Sequence, residues 1–396
     1  MIPVNEPRLG ALERSYLLDC LDTGWISSRG PYLARFEQEF AAYCGVRHGV
    51  ATTNGTAALH VALAALGIGP GDEVVIPTLT MAATAFAVVY TGATPVLVDS
   101  EPLRGNLDPA QLEARITPRT RAILVVHLYG HPVDMDPIHE IAQRHGLPII
   151  EDAAEAHGAT YRGRRAGSLG TIACFSFYAN KIVTSGEGGM VLTDDDALAD
   201  RARRLRDMAH SPSQRFLHEE LGFNYRLTNL QAALGLAQLH QIDDALARKR
   251  HMAERYGERL AGLRGLHLPD QAPWAESVYW MYAVVVDEPL PLDRDVLMTA
   301  LAAEGIETRS FFIPMHLQPA LLQMGLFSGE RYPVAEDLGR RGLYLPSGLA
   351  ITDEQIDLVA AAIRRIASQP RRHPEERSDE GSPQPAPERD PSLRSG

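Results

Sequence analysis

Between about residues 47 and 195, short apolar runs alternate with amphipathic patterns, and this alternation restricts the fold more than any other feature of the chain. Residues 73–77 (EVVIP), 95–99 (PVLVD), 122–127 (AILVVH) and 148–152 (PIIED) are near-continuous apolar runs. Strands read this way when both of their faces are covered. Between the last two runs, residues 134–145 place Met135, Ile138, Ile141 and Ala142 on one side of a helix. Such alternation predicts an α/β fold, a mainly parallel sheet with helices on both faces. Ligands of such sheets bind beyond the carboxyl ends of the strands, which is where Asp152 falls.

Residues 226–240 and 242–263 read as long helices leading to a second domain. That domain begins near Pro273 with a strand at 278–287, a helix at 293–304, a strand at 307–312 and a last helix at 353–367. The expected division is a large domain at 1–245, a smaller C-terminal domain at 246–369 and a tail at 370–396. The tail is rich in Pro, Ser, Glu and Arg and nearly free of apolar residues, so disorder is expected there.

The net charge of -12 argues against nucleic acid as the main partner, because phosphate backbones favour basic surfaces. Cys20, Cys44 and Cys174 have neither disulfide-framework nor zinc spacing and read as small core residues in a reducing compartment. The first residues, MIPVNEPRLG, lack a charged n-region and an apolar h-region, and no apolar run reaches membrane-spanning length. The expectation is a cytoplasmic protein with no membrane or metal partner.

Residues 171–191, TIACFSFYANKIVTSGEGGMV, set one lysine, Lys181, between an apolar run and a glycine-rich turn, in a chain whose basic residues are mostly arginine. Burying an unpaired ammonium is costly. Lys181 is therefore either a loop-tip surface residue or a desolvated amine able to form a Schiff base with an aldehyde. Asn54-Gly55-Thr56-Ala57 opens a helix after the strand-like HGVATT, which suits either a plain N-cap or an anion site. Asp152 and Glu155, within residues 151–157 (EDAAEAH), follow a buried strand. Asp152 there is a helix-start acid, a metal ligand or the partner of a pyridinium nitrogen; no second ligand in the segment has metal spacing. Ser176, in the strand before the lysine, could reach a phosphate. In this order the pieces describe a site for pyridoxal 5'-phosphate.

The segments IPVNEPRLG, SSRGPYLARFEQEFA, TNGTAALHVAL, GPGDEVVIPTLT, VVHLYGHPVDM, IIEDAAEAHGA, FSFYANKIVTSGEGGM, GFNYRLTNLQAA, ETRSFFIPMH and LPSGLAITDEQI extend the comparison to about Ser368. With them the chain resembles the fold type I, pyridoxal-phosphate-dependent sugar-nucleotide aminotransferases, and among these the GDP-perosamine synthase group. The resemblance implies a seven-stranded, mainly parallel sheet with a smaller α+β C-terminal domain. It implies that Lys181 is the Schiff-base lysine and proton shuttle and that Asp152 pairs with the pyridine nitrogen. Gly55, Thr56, Ala57 and Ser176 would hold the phosphate, with Glu155 near the phenolic oxygen. Asn224 would reach the phosphate of a neighbouring subunit's cofactor, making the active unit a homodimer. Arg226 either lines that shared site or is an interface or helix-start charge. Arg309 and His316 would sit over the substrate, although His316 reads equally as a capped loop histidine. Met81 stands where many relatives carry an aromatic residue stacked on the cofactor ring.

The implied reaction is amino transfer from L-glutamate to a nucleotide-linked 4-keto-6-deoxy sugar, GDP-4-keto-6-deoxymannose first among them. A UDP- or dTDP-linked keto-sugar is the alternative. The related 3-dehydratases carry histidine in place of the lysine, so Lys181 argues against dehydration. The set of Asp152, Ser176 and Lys181 argues against a purely regulatory role.

Overall fold

The computed structural model describes residues 1–211, 213–214 and 216–368; the tail expected at 370–396 lies outside them. The four apolar runs become neighbouring strands of one seven-stranded sheet, in the spatial order His48–Thr52, Gly189–Thr193, Ile172–Ser176, Ile149–Asp152, Thr120–Val126, Glu73–Pro77 and Thr94–Val98. Six strands run parallel; Gly189–Thr193 runs antiparallel to both of its neighbours.

Alternate residues of the strands feed two separate cores. Val74, Ile76, Leu124 and Ile150 join the larger one, with the helices Pro31–Cys44 and Gly55–Ala65. Val75, Ile123, Val125 and Ile149 face Met135, Ile138 and Ile141 of the helix Met135–His145 on the other side. Burial on both faces is the physical reason these strands read as unbroken apolar runs.

A second, antiparallel sheet has the order Leu266–His267, Tyr282–Val286, Gly342–Leu345, Arg309–Ser310. The helix Ile242–Leu260 joins the larger core to a third one on this antiparallel sheet, since Leu246 packs in the larger core and Met252, Tyr256 and Leu260 pack with Tyr282, Val284 and Leu343. The expected division at 245/246 falls within this unbroken helix. The N-terminal residues also pack on the second sheet: Ile2 bridges Ile306, and the Ser347 N–H donates to Val4 O at 2.9 Å.

Two expectations are corrected. The helix expected at 226–240 is Asn229–Leu239. Thr228 and Gln231 form a reciprocal capping box that fixes its start, leaving Arg226 extended and bridged to Thr52. The strand expected at 278–287 is only Tyr282–Val286, because Tyr279 takes the left-handed conformation, with φ 46°. That conformation ends a strand for a residue bearing a Cβ.

Candidate active site

A cavity of about 590 Å³ opens beyond the carboxyl ends of the parallel strands. Gly55, Thr56, Met81, Asp152, Glu155, Ser176 and Lys181 all line it. These residues come from distant parts of the sequence, and the sheet order brings them together.

Asn54 caps the helix Gly55–Ala65, and the first intrahelical bond runs from the Ala58 N–H to Asn54 O at 3.1 Å. The amides of Gly55, Thr56 and Ala57 therefore have no acceptor within the helix. The Ala57 N–H donates to Asn54 Oδ1 at 2.8 Å, and Ala57 is buried away from the cavity. Gly55 and Thr56 remain as the outward-facing donors. A Cβ on Gly55 would lie 2.7 Å from Ser176 Cβ, so glycine is what lets the helix start approach the serine strand.

Asp152 ends its strand with only 5% of its surface exposed. Thr84 Oγ1 donates to its Oδ2 at 2.8 Å, and the Ala154 N–H donates to Oδ1 at 3.2 Å. Thr80 completes the relay with a hydroxyl 2.9 Å from that of Thr84. Burial raises the Asp152 proton affinity, while Thr84, the Ala154 amide and Lys181 pull it back down. Among the described residues no arginine or lysine pairs with this carboxylate. A buried carboxylate held by neutral donors suits a cationic ring N–H.

Lys181 sits after the strand Ile172–Ser176, its N–H bonded to Tyr178 O at 2.9 Å, and its side chain is 10% exposed. Its amine lies 3.7 Å from Glu155 Oε1 and 3.7 Å from the centre of the Trp280 ring. Burial lowers the lysine's proton affinity, and Glu155 and Asp152 partly restore it. Glu155 accepts from the Tyr129 N–H at 2.7 Å, and burial pushes its carboxyl up to about 7 against the pull of Lys181. Met81 lies at the rim, 53% exposed, as the residue preceding the helix Ala82–Tyr90.

Glu151 and His157 lie near the strand but away from the cavity. Glu151 is fully buried and accepts from the amides of Gly167, Leu169 and Gly170, with His127 Nε2 at 3.0 Å. His157 packs among Phe40, Phe175 and Phe177, and burial drives its ring down to about 3, so it is neutral.

Four expected residues, His316, Arg309, Asn224 and Arg226, lie outside this cavity. His316 is buried, with Nδ1 2.9 Å from Thr78 Oγ1 and Nε2 3.2 Å from Glu336 Oε1, beside the Tyr332 ring. Both of its ring nitrogens are spent on protein partners. Arg309 is exposed and paired with Glu307. Asn224 is exposed and accepts from Arg226 Nη2 at 2.8 Å, while Arg226 Nη1 pairs with Asp207 at 3.0 Å. Trp280, Tyr344, Phe312 and Thr80 also line the cavity. Trp280 and Tyr344 were missed because they reach the site through tertiary packing, outside the quoted segments. Thr80 and Phe312 lie within GPGDEVVIPTLT and ETRSFFIPMH, but nothing local to them marks which side chains face a cavity.

The family model for "DegT/DnrJ/EryC1/StrS aminotransferase family" matches residues 7–364. The chain belongs to this family. It is an aminotransferase, and the chemistry of its family depends on pyridoxal phosphate. The GDP-perosamine synthase of Caulobacter vibrioides is 51% identical over 92% of this chain and 98% of its own length. The dTDP-3-amino-3,4,6-trideoxy-alpha-D-glucose transaminase of Streptomyces venezuelae is 45% identical over 85% of this chain and 88% of its own. Among solved structures, S. venezuelae DesV in complex with a ketimine intermediate superposes with a TM-score of 0.83 at 44% identity. That match covers 90% of this chain and 94% of DesV. Among the described residues no helix is long and apolar enough to cross a membrane, and no acid, histidine or cysteine group could hold a metal.

Proposed function

We propose that the chain transfers the amino group of L-glutamate to a nucleotide-linked 4-keto-6-deoxy sugar, with GDP-4-keto-6-deoxy-D-mannose as acceptor and GDP-perosamine as product. The observation that carries the reading is the convergence of Lys181, Asp152 and the Gly55–Thr56 helix start on one cavity. GDP-perosamine synthases at 51%, 42% and 39% identity, each matched over more than nine-tenths of this chain, support the choice of sugar. The Streptomyces venezuelae transaminase at 45% identity supports a dTDP-linked keto-sugar as the second reading.

The residues fit pyridoxal phosphate, which supplies an aldehyde for the lysine amine and a ring that draws electrons from the amino-acid Cα. The amides of Gly55 and Thr56, with the hydroxyls of Thr56 and Ser176, would hold the phosphate at the positive end of a helix. Asp152, oriented by Thr84 and the Ala154 amide, keeps the ring nitrogen protonated. Lys181 Nζ takes and returns the glutamate Cα proton. Burial lowers its proton affinity against the pull of Glu155 and Asp152, which favours the free-base form that accepts a proton. Glu155, which lines the cavity beside Lys181, would serve the phenolic oxygen, where its acid form could donate a hydrogen bond. Met81, at the rim of the cavity, would cover the ring face with its thioether.

Asn224 is exposed and Arg226 half-buried, on the segment beside Thr52 and Thr53. In our reading they complete a second subunit's site, making the working unit a homodimer in the cytoplasm. Arg309 would face the anionic end of the nucleotide sugar. The test is a panel of GDP-, UDP- and dTDP-linked keto-sugars with glutamate as donor, read by mass. Conversion of ketone to amine is expected on the GDP-linked 4-keto sugar, and no conversion on any member refutes the reading.

A further inference from the structure

Of the 38 lysine and arginine residues in the sequence, only Lys181 and Lys249 are lysines. Both converge on Trp280. Lys181 Nζ lies against the indole face, 3.7 Å from the ring centre. Lys249, on the helix Ile242–Leu260, donates to the carbonyl of Trp280 at 2.7 Å and also to that of Ser347. Lys249 is 2% exposed, and among the described residues it has no carboxylate partner. Its helix neighbours point elsewhere, Arg248 to the carbonyls of Leu349 and Ile351 and Arg250 to Glu276.

Burial alone lowers Lys249 to about 7. A neutral lysine amine has two N–H donors, which matches its two carbonyl acceptors. An arginine could not shed its charge here. The backbone that Lys249 holds is strained: Tyr279, just before Trp280, has φ 46°. Such a conformation persists only when its surroundings hold it. Further holds are the Tyr279 N–H to Ser277 Oγ at 3.2 Å and Trp280 Nε1–H to Asn180 O at 2.8 Å. The second of these ends on the residue preceding Lys181.

We propose that Lys249 is a positioning residue for Lys181, fixing the Trp280 backbone so that the indole face holds the Lys181 amine inside the cavity. The proposal rests on the cofactor reading given above and names a residue that never touches the reactants. The groups facing Lys181 are Trp280, Glu155 and Asp152. Of these, Trp280 is the one Lys249 controls. The indole face favours a cation on the Lys181 nitrogen.

The test uses the holoenzyme and the pH midpoint of the lysine-bound cofactor's absorbance. Lys249→Met should lower that midpoint by about one pH unit, and Trp280→Leu should lower it equally, since the ring contact is worth that much. The double variant should add nothing further, and Trp280→Phe should stay near wild type. Labelling lysine at Cε gives a second readout, since the protein then shows only two lysine signals. The Lys249 signal should move in Trp280→Leu, a measurement that stands whether or not Lys249→Met folds. An unmoved Lys249 signal, additive midpoint shifts, or a Lys249→Met protein that loses only thermal stability would overturn the positioning role. A wild-type protein without the absorbance, or a Lys181→Ala protein that keeps it, would instead overturn the cofactor reading on which the role depends.

Discussion

Replacing Glu155 by glutamine in the cofactor-free protein tests the electrostatics of the cavity directly. The Glu155 carboxyl is 5% exposed, accepts the Tyr129 N–H and lies 3.7 Å from Lys181. Burial raises it from 4.5 to about 7, with Lys181 and the Tyr129 amide opposing the rise. In the unfolded chain the same carboxyl has its ordinary affinity. Between those two values the folded chain keeps a proton that the unfolded chain has lost. The stability this group contributes is therefore complete below the unfolded value and is lost as pH rises through about 7. The full swing is on the order of 3 kcal/mol.

The Glu155→Gln side chain keeps the shape and an acceptor for Tyr129 but does not titrate. Lys181, already lowered by burial, loses its nearest carboxylate in the variant and sheds its proton more readily. The stability difference between variant and wild type should thus grow in the variant's favour by about that amount between pH ~5 and pH ~8. Urea unfolding of both proteins, followed by fluorescence across this range, measures it. Identical pH dependence in the two proteins would refute the assignment of a raised, buried carboxyl.

Three further outcomes follow from the same geometry. Lys181→Ala should reduce amino transfer at least ~100-fold, the usual worth of a positioned proton carrier, in single-turnover assays with glutamate. Asp152→Asn should cost about 10- to 100-fold in kcat by removing one charge-assisted hydrogen bond, with a circular dichroism spectrum like that of wild type. Met81→Tyr should tighten cofactor binding by about 2- to 10-fold, because an aromatic face replaces a thioether; dialysis against pyridoxal phosphate would measure the constant. An unchanged or weaker constant would mean that position 81 does not cover the ring.

Much of the sheet was legible in the sequence, for a reason specific to its strands. Residues 73–77 and 149–152 are buried on both faces, so their apolar runs are unbroken and their ends are marked by Pro77 and Asp152. Asp152 and Lys181 were readable because a strand end and a glycine-rich turn flank them. The strand Gly189–Thr193 was not anticipated, since its glycine-rich approach resembles a loop until it pairs with two neighbours. The helix start at Asn229 was missed because the capping box Thr228–Gln231 lies inside an otherwise helical pattern. The setting of His316 could not be read at all. Its partners Thr78 and Glu336 are remote in sequence, and only the folded chain shows that its ring is spent on them.

The one antiparallel strand has a consequence for how the site is held. Ser176 pairs with Gly189, so the segment carrying Lys181 leaves the sheet and rejoins it beside its own exit strand, without a crossover helix. Bonds between residues close in sequence, Lys181 N–H to Tyr178 O and Ser185 N–H to Phe177 O, close that loop, and Trp280 reaches in from afar to the carbonyl of Asn180. Asp152 and Gly55 reach the same cavity only through strands and helices brought from afar. The lysine thus stands on a locally closed hairpin, while its ring-nitrogen and phosphate partners stand on the long-range scaffold. A ligand spanning all three ties the local part of the fold to the distant one.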